Sequence, residues 1–283
     1  MTISAACAAA PGLAYAQNWR GHAFGADISL TLHGPQDQAA DAVEQARALI
    51  IQMERLFSLY DPTSTLVGLN TTGVLHAPPA AFLSLMGACD VAFGQTGGLF
   101  DPTVQPVWAA LASGRDPARA RDDIGWHRVR FDTRKVALGA GQALTFNGIA
   151  QGFATDMVTN MLTTLGFTQA LVNIGEFRGI GGPWTLGLDD PIHGRLGTRQ
   201  LHNGAIATSS PAATQVGGHG HILHAHATPQ WSSVSVEAPS ATVADALSTA
   251  LVLADRDQIA EIKDRTPTQR VILVDFDGNL STL

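Results

Sequence analysis

The chain has 283 residues, enough for one large domain or two small ones and for a substantial buried core. Apolar residues make up 45% of it and charged residues 14%, the balance of a globular rather than a disordered chain. A net charge of −7 with no block of Lys or Arg argues against nucleic acid as the main partner, and no run of about 18 apolar residues exists to span a membrane.

Met1 to Gln17 is small and apolar and ends Ala14-Tyr15-Ala16 before Gln17, an A-x-A cleavage pattern without the positively charged start of a full secretory signal. Residues 1–17 therefore read as the remnant of a signal peptide, or more simply as an Ala-rich tail. Residues 18–283 read as a single domain with room for two lobes. Cys7 lies in the first segment, so a mature chain keeps only Cys89, which cannot form an internal disulfide.

Trp19 to Leu32 reads as one or two strands interrupted at Gly21-His-Ala-Phe-Gly25. Asp37 can cap a long helix reaching about Leu56, with Ala39, Val43, Ala46, Ile50, Met53 and Phe57 inward. A polar loop covers residues 58–64. Pro78-Pro79 opens a second helix carrying Phe82, Leu85, Met86, Cys89 and Phe93 on one face. Gly97-Gly-Leu-Phe-Asp-Pro-Thr-Val104 follows as a shaped loop where backbone can approach a ligand, or as an ordinary helix cap and turn. A hairpin is expected around Asp132-Thr133.

A short strand is expected to run into Gly148-Ile-Ala-Gln-Gly152, a glycine loop opening a helix with Ala154, Met157, Val158, Met161 and Leu165 inward. Such a loop presents free N–H groups to an anion. Gln169 to Ile174, Trp184 to Leu188, Ala205 to Ser210, Trp231 to Glu237 and Arg270 to Phe276 read as strands; Gly175 to Gly182 reads as a turn, and a short helix lies near Asp255–Lys263. Four His within Gly217-Gly-His-Gly-His-Ile-Leu-His-Ala-His226 form a flexible loop or, alternatively, a metal site.

The helix expected at Ala241-Thr-Val-Ala-Asp-Ala-Leu-Ser-Thr-Ala-Leu-Val-Leu253 has two faces. Leu247, Ala250, Leu251 and Ala254 form an apolar stripe, while Asp245, Ser248 and Thr249 place a carboxylate beside two hydroxyls at i, i+3, i+4. Such hard oxygen donors suit Mg²⁺. The competing reading is a capping box of Thr242 with Asp245 that merely starts the helix.

Five blocks in this order resemble the ApbE family, the FAD:protein FMN transferases: Phe57-Ser-Leu-Tyr60, Gly98-Leu-Phe-Asp-Pro-Thr-Val104, Gly148-Ile-Ala-Gln-Gly152, Leu171-Val-Asn-Ile-Gly175 and Ala244-Asp-Ala-Leu-Ser-Thr-Ala250. The resemblance implies a T-fold-like α+β architecture of mixed or antiparallel sheets with packed helices. It further implies FAD as substrate, bound Mg²⁺, and transfer of FMN to a Thr or Ser hydroxyl of a target flavoprotein with release of AMP. Asp245 and Thr249 match side-chain metal ligands, and Gly148 and Ser248 match positions supplying carbonyls. Phe24, Tyr60, Leu99, Phe100, Asp101, Thr145, Gln151 and Leu223 match flavin-binding positions, while His221 and Asp245 match the catalytic ones.

The chain also departs from the family pattern. Thr145 and Gln151 stand where many members have Asp and Lys, Gly175-Glu-Phe-Arg178 replaces Gly-Gly-Asp, and His224-Ala225 replaces an Asp-Pro after His221. The Gln151 and Gly175–Arg178 variants are similar to the branch associated with nitrous-oxide respiration. That branch implies a periplasmic location and a membrane-associated acceptor. A non-catalytic FAD-binding protein and a His-rich periplasmic metal-binding protein are the competing functions.

Overall fold

A computed structural model describes residues 16–283 and, in addition, the backbone of Ala5–Ala6. The signal-remnant reading of 1–17 thus falls almost wholly outside the described residues. In chain order the strands are β1 (Ala5–Ala6), β2 (Ala16–Ala23), β3 (Ala26–His33), β4 (Val74–His76), β5 (Arg130–Phe131), β6 (Lys135–Ala137), β7 (Ala170–Asn173), β8 (Phe177–Ile180), β9 (Trp184–Asp190), β10 (Gly194–Leu201), β11 (Ala205–Ser209), β12 (Gln215–Val216), β13 (His219–Gly220), β14 (Ser233–Ala238), β15 (Arg270–Val274) and β16 (Leu280–Thr282). The helices are α1 (Gln36–Phe57), α2 (Thr65–Thr72), α3 (Ala80–Gln95), α4 (Gln105–Ala112), α5 (Ala150–Thr164), α6 (Ala241–Leu251) and α7 (Arg256–Asp264). None of the described helices is long and apolar enough to cross a membrane.

The α+β expectation holds, and the main sheet is antiparallel throughout. Its eight strands run β16-β15-β14-β11-β8-β7-β3-β2. Strand alternation sends successive residues to opposite faces. In β7, Ala170 and Val172 enter the core under α1, α3 and α5, while Leu171 packs on the other face with Trp184, Leu186 and Leu188 of β9. Helices therefore cover one face and the β9–β10 hairpin covers part of the other. On the helical side, α6 and α7 close a second core over β14 and β15, built on Val234, Val236, Leu247, Leu251, Ile259 and Leu273.

Several local expectations are corrected. The helix expected behind an Asp37 cap starts two residues earlier, at Gln36 behind Pro35, whose fixed φ suits a helix start, and Asp37 lies in the first turn without capping it. Residues 144–146 form no strand: the Asn70 side chain takes both backbone groups of Leu144, Nδ2 donating to its carbonyl at 2.8 Å and Oδ1 accepting its N–H at 2.7 Å, and the Thr145 N–H goes to the Pro102 carbonyl. The stretch read as a glycine turn holds β8, which pairs with β7 and β11. On α5 the fully buried line is Ala154, Val158 and Leu162, with Met157, Met161 and Leu165 only partly covered.

Candidate functional site

The segment 144–152 organises the site, and aromatic packing holds it. Phe146 and Phe153 flank the glycine loop, and each meets Phe57 edge-on, at centroid distances of 5.7 and 5.8 Å; Phe146 also meets Phe82 at 5.5 Å. Edge-to-face pairs of this kind add about 0.5–1.5 kcal/mol each beyond simple burial. With its two ends pinned, the loop reaches three groups of side chains.

The first group lies on α6. Its helix start is capped by Ser240, whose hydroxyl accepts the Val243 N–H, and by Asp156 of α5, whose carboxylate accepts the Ala241 and Thr242 N–H groups and the Thr242 hydroxyl. Arg178 closes an ion pair on Asp156 at 2.6 Å. This overturns the capping-box reading: Thr242 is already engaged with Asp156, and the Asp245 carboxylate points across the helix pair to accept the Gly152 N–H at 2.9 Å. The close α5–α6 crossing requires a glycine there, since a Cβ on Gly152 would run into the Ala241 carbonyl and lie 2.7 Å from the Asp245 Cβ.

Around Asp245 gather Ser248, Thr249 and Ser209. The Ser209 hydroxyl lies 2.8 Å from that of Ser248 and 3.2 Å from that of Thr249. Gly148 packs directly on Thr249, where a Cβ would come within 2.8 Å of the threonine hydroxyl. Glu176 enters from the turn before β8, its carboxylate accepting the Thr208 N–H at 3.0 Å. Burial pushes the Asp245 carboxyl up to about 7, the Gly152 N–H opposing and the Asp156 charge adding to the rise. Burial, followed by the Asp245 charge, drives Glu176 well above the usual carboxylate range.

The second group joins Phe24, Gln151 and Gly175. Phe24 has a left-handed backbone (φ 52°), and its N–H is held by the Glu54 carboxylate at 2.8 Å. Gln151 donates to the Phe24 carbonyl at 3.4 Å and packs where Gly175 lacks a side chain.

The third group is the loop after α3. Gly97 and Gly98 both take positive φ; Phe100 is buried, and Leu99 packs against both helical-side cores. Asp101 accepts from the Thr103 N–H and hydroxyl at 2.8 and 2.5 Å, and the Thr145 N–H donates to the Pro102 carbonyl at 2.9 Å. The 221–227 segment lies over this loop: His224 bonds the Gly98 carbonyl at 3.1 Å, and Leu223 joins a small cluster with Val107 and Leu111.

Two predicted residues stand apart. Tyr60 is 75% exposed on its loop, with no hydrogen bond or aromatic pair to the three groups among the described residues. His221 bonds the Thr214 carbonyl through Nδ1 at 3.2 Å, and burial lowers its pKa. The Thr214 and Pro211 carbonyls oppose that fall, so the ring is held by backbone acceptors in a partly buried place. The four-His metal reading is not realised. His219 and His226 are exposed, His221 and His224 are bound to separate carbonyls, and no three His, Cys, Asp or Glu gather to hold a metal among the described residues.

Asp156, Glu176 and Ser209 are the residues sequence reasoning passed over. Only Ser209, ending a strand of small residues in hydroxyls, gave a local signal. A cavity of about 980 Å³ between α2, α4 and residues 138–143 is large enough for a ligand, yet contains none of the predicted site residues.

The side-chain oxygens gathered at the first group, the Asp245 carboxylate and the hydroxyls of Thr249, Ser248 and Ser209, are of the hard kind that fits a divalent cation. A buried carboxylate raised this far has no Lys or Arg bonded to it among the described residues, and a cation would supply that missing charge.

An antiparallel sheet, helices stacked on one face and a carboxylate–hydroxyl cluster beside a glycine-opened helix define an α+β protein with a buried polar site between two helices. The ApbE family profile matches residues 24–273, and the chain belongs to that family. It is 25% identical over 92% of its length to an FAD:protein FMN transferase of Rhodobacter capsulatus, of whose length it spans 55%. It is 23% identical over 84% of its length to another of that name from Haemophilus influenzae, spanning 80% of that protein. The fold matches the flavin transferase ApbE of Vibrio cholerae with a TM-score of 0.82 at 19% identity, covering 95% of this chain and 97% of the other. It matches the ApbE protein of Thermotoga maritima with a TM-score of 0.84 at 23% identity, covering 94% and 96%.

Proposed function

We propose that this protein is an Mg²⁺-dependent FAD:protein FMN transferase that attaches FMN to a Thr or Ser hydroxyl of an acceptor flavoprotein. The observation that carries the reading is the buried Asp245 carboxylate, set against Gly152 and beside Thr249, Ser248 and Gly148. Phosphoryl transfer depends on positioning and charge neutralisation more than on a protein nucleophile, and these residues would supply the second by holding a cation.

Gly148, Asp245, Ser248 and Thr249 would hold Mg²⁺, which when bound neutralises pyrophosphate charge and makes the phosphorus more electrophilic. The loop at Leu99, Phe100 and Asp101, with Thr145, Leu223, Phe24 and Gln151, forms the walls for the flavin, and exposed Tyr60 is free to stack on it. His221, whose pKa burial lowers, is the side chain that accepts the proton of the acceptor hydroxyl. That oxygen then bonds the FMN phosphorus as the bridging P–O bond breaks, and AMP leaves. Gln151 and Glu176-Phe-Arg178 support membership of the branch associated with nitrous-oxide respiration, with a periplasmic location and a membrane-associated respiratory acceptor.

Incubation with FAD, Mg²⁺ and a flavinylation-domain target tests the reading. The expected result is in-gel flavin fluorescence on the target together with stoichiometric AMP. Tight FAD binding with neither product on a validated target would make the protein a flavin carrier instead.

A further inference from the structure

We infer that His224 is a positioning residue that does the work of the missing Asp-Pro by a different chemistry and clamps the Gly98–Asp101 loop. The inference rests on the flavin-binding reading above only for what the clamped loop would bind. Nδ1 of His224 lies 3.2 Å from the His226 N–H and 2.9 Å from the Ala227 N–H. Both are backbone donors, so Nδ1 must be the unprotonated nitrogen. Nε2, 3.1 Å from the Gly98 carbonyl, then carries the proton and donates. Three contacts fix one tautomer.

The pattern at Nδ1 is the one a carboxylate makes at turns elsewhere in this chain. Asp132 accepts the Arg134 and Lys135 N–H groups, and Asp190 accepts those of Ile192 and His193, again two and three residues ahead. An Asp at 224 could make that turn and no more. The imidazole makes it and has a second nitrogen long enough to reach a loop 126 residues away in sequence. It ties down Gly98, whose positive φ sets the direction of Leu99 and Phe100. Burial lowers the His224 pKa, the Gly98 carbonyl and the Asp101 charge oppose that fall, and His226 deepens it, so the ring is neutral near pH 7.

The variants His224→Asn and His224→Ala separate the two contacts, because Asn can accept the turn N–H groups without reaching Gly98. Histidine ¹⁵N NMR of the full chain at pH 7.5 should find the ring of residue 224, assigned by its loss in His224→Ala, as the neutral Nε2–H tautomer. A protonated ring or the Nδ1–H tautomer overturns the clamp. With chymotrypsin, His224→Asn should be cut after Leu99 or Phe100 several-fold faster than wild type while its circular dichroism is unchanged; equal rates overturn the clamp. By quenching of flavin fluorescence, His224→Asn should bind FAD about three- to tenfold more weakly, the scale of one lost hydrogen bond, and unchanged affinity removes its positioning role. A wild type that binds no FAD would refute the flavin reading, while the NMR and proteolysis results still decide the clamp.

Discussion

At the scale of single residues, Asp245 shows how a site can be built against stability. Burial lifts its carboxyl from the ordinary carboxylate range to about 7, so the folded state favours the protonated form. That group's contribution to stability is fully present below about pH 4 and is lost as pH rises through 7. In the metal-free protein, Asp245→Asn removes the cost of a buried charge while leaving an oxygen to accept the Gly152 N–H. We expect its thermal midpoint in EDTA to equal or exceed that of wild type at pH 8, with the difference shrinking by pH 5, while Mg²⁺-dependent transfer is abolished. Thermal melts at the two pH values check this. A variant less stable at both would mean that Asp245 serves the fold.

At the scale of elements, the loop between Phe146 and Phe153 transmits core packing to the site. Phe146→Ala opens a cavity under Phe57 and Phe82 and should cost about 3–5 kcal/mol, with FAD affinity falling alongside because Gly148 and Gln151 lose their fixed positions. Denaturant melts and FAD titration at temperatures well below the midpoint measure the two effects separately. Undiminished affinity in the folded variant would show that the loop holds its shape without the aromatic pins. The same element shows what the sequence carried. The apolar stripe of α6, the cluster of Asp245 with Ser248 and Thr249, and the glycines at 148 and 152 were legible because each is local and periodic. Asp156 was not, because its work is to cap another helix 84 to 86 residues away. Strand β8 was hidden between glycines whose meaning depends on Trp184 and Gln151 packing against them. Strand β10 is mostly polar and half-exposed, so its register comes from β9 rather than from its own pattern. The His-rich stretch drew attention by composition, but what matters in it is which carbonyl each ring meets.

At the scale of the whole molecule, the Leu99 loop sits where the two helical-side cores meet, so anything bound against it ties them together. The chain is itself anionic, at −7, and on the proposed function FAD would bring negative charge to a site whose Asp245 and Glu176 carboxyls burial already pushes towards the protonated form. Binding should therefore be strongly linked to the cation. With both ligands at about 100 times their dissociation constants, stabilisation of about 2.7 kcal/mol or more is expected. For a domain of this size that corresponds to a rise of about 5–10 °C in thermal midpoint. Because Mg²⁺ favours the ionised Asp245, the rise should be larger at pH 8 than at pH 6, and EDTA should remove most of it. Differential scanning calorimetry across this grid of pH and ligand provides the check. An equal rise with FAD in EDTA would assign flavin affinity to the Leu99 and Phe24 walls alone, leaving the Asp245 platform with no part in binding the pyrophosphate.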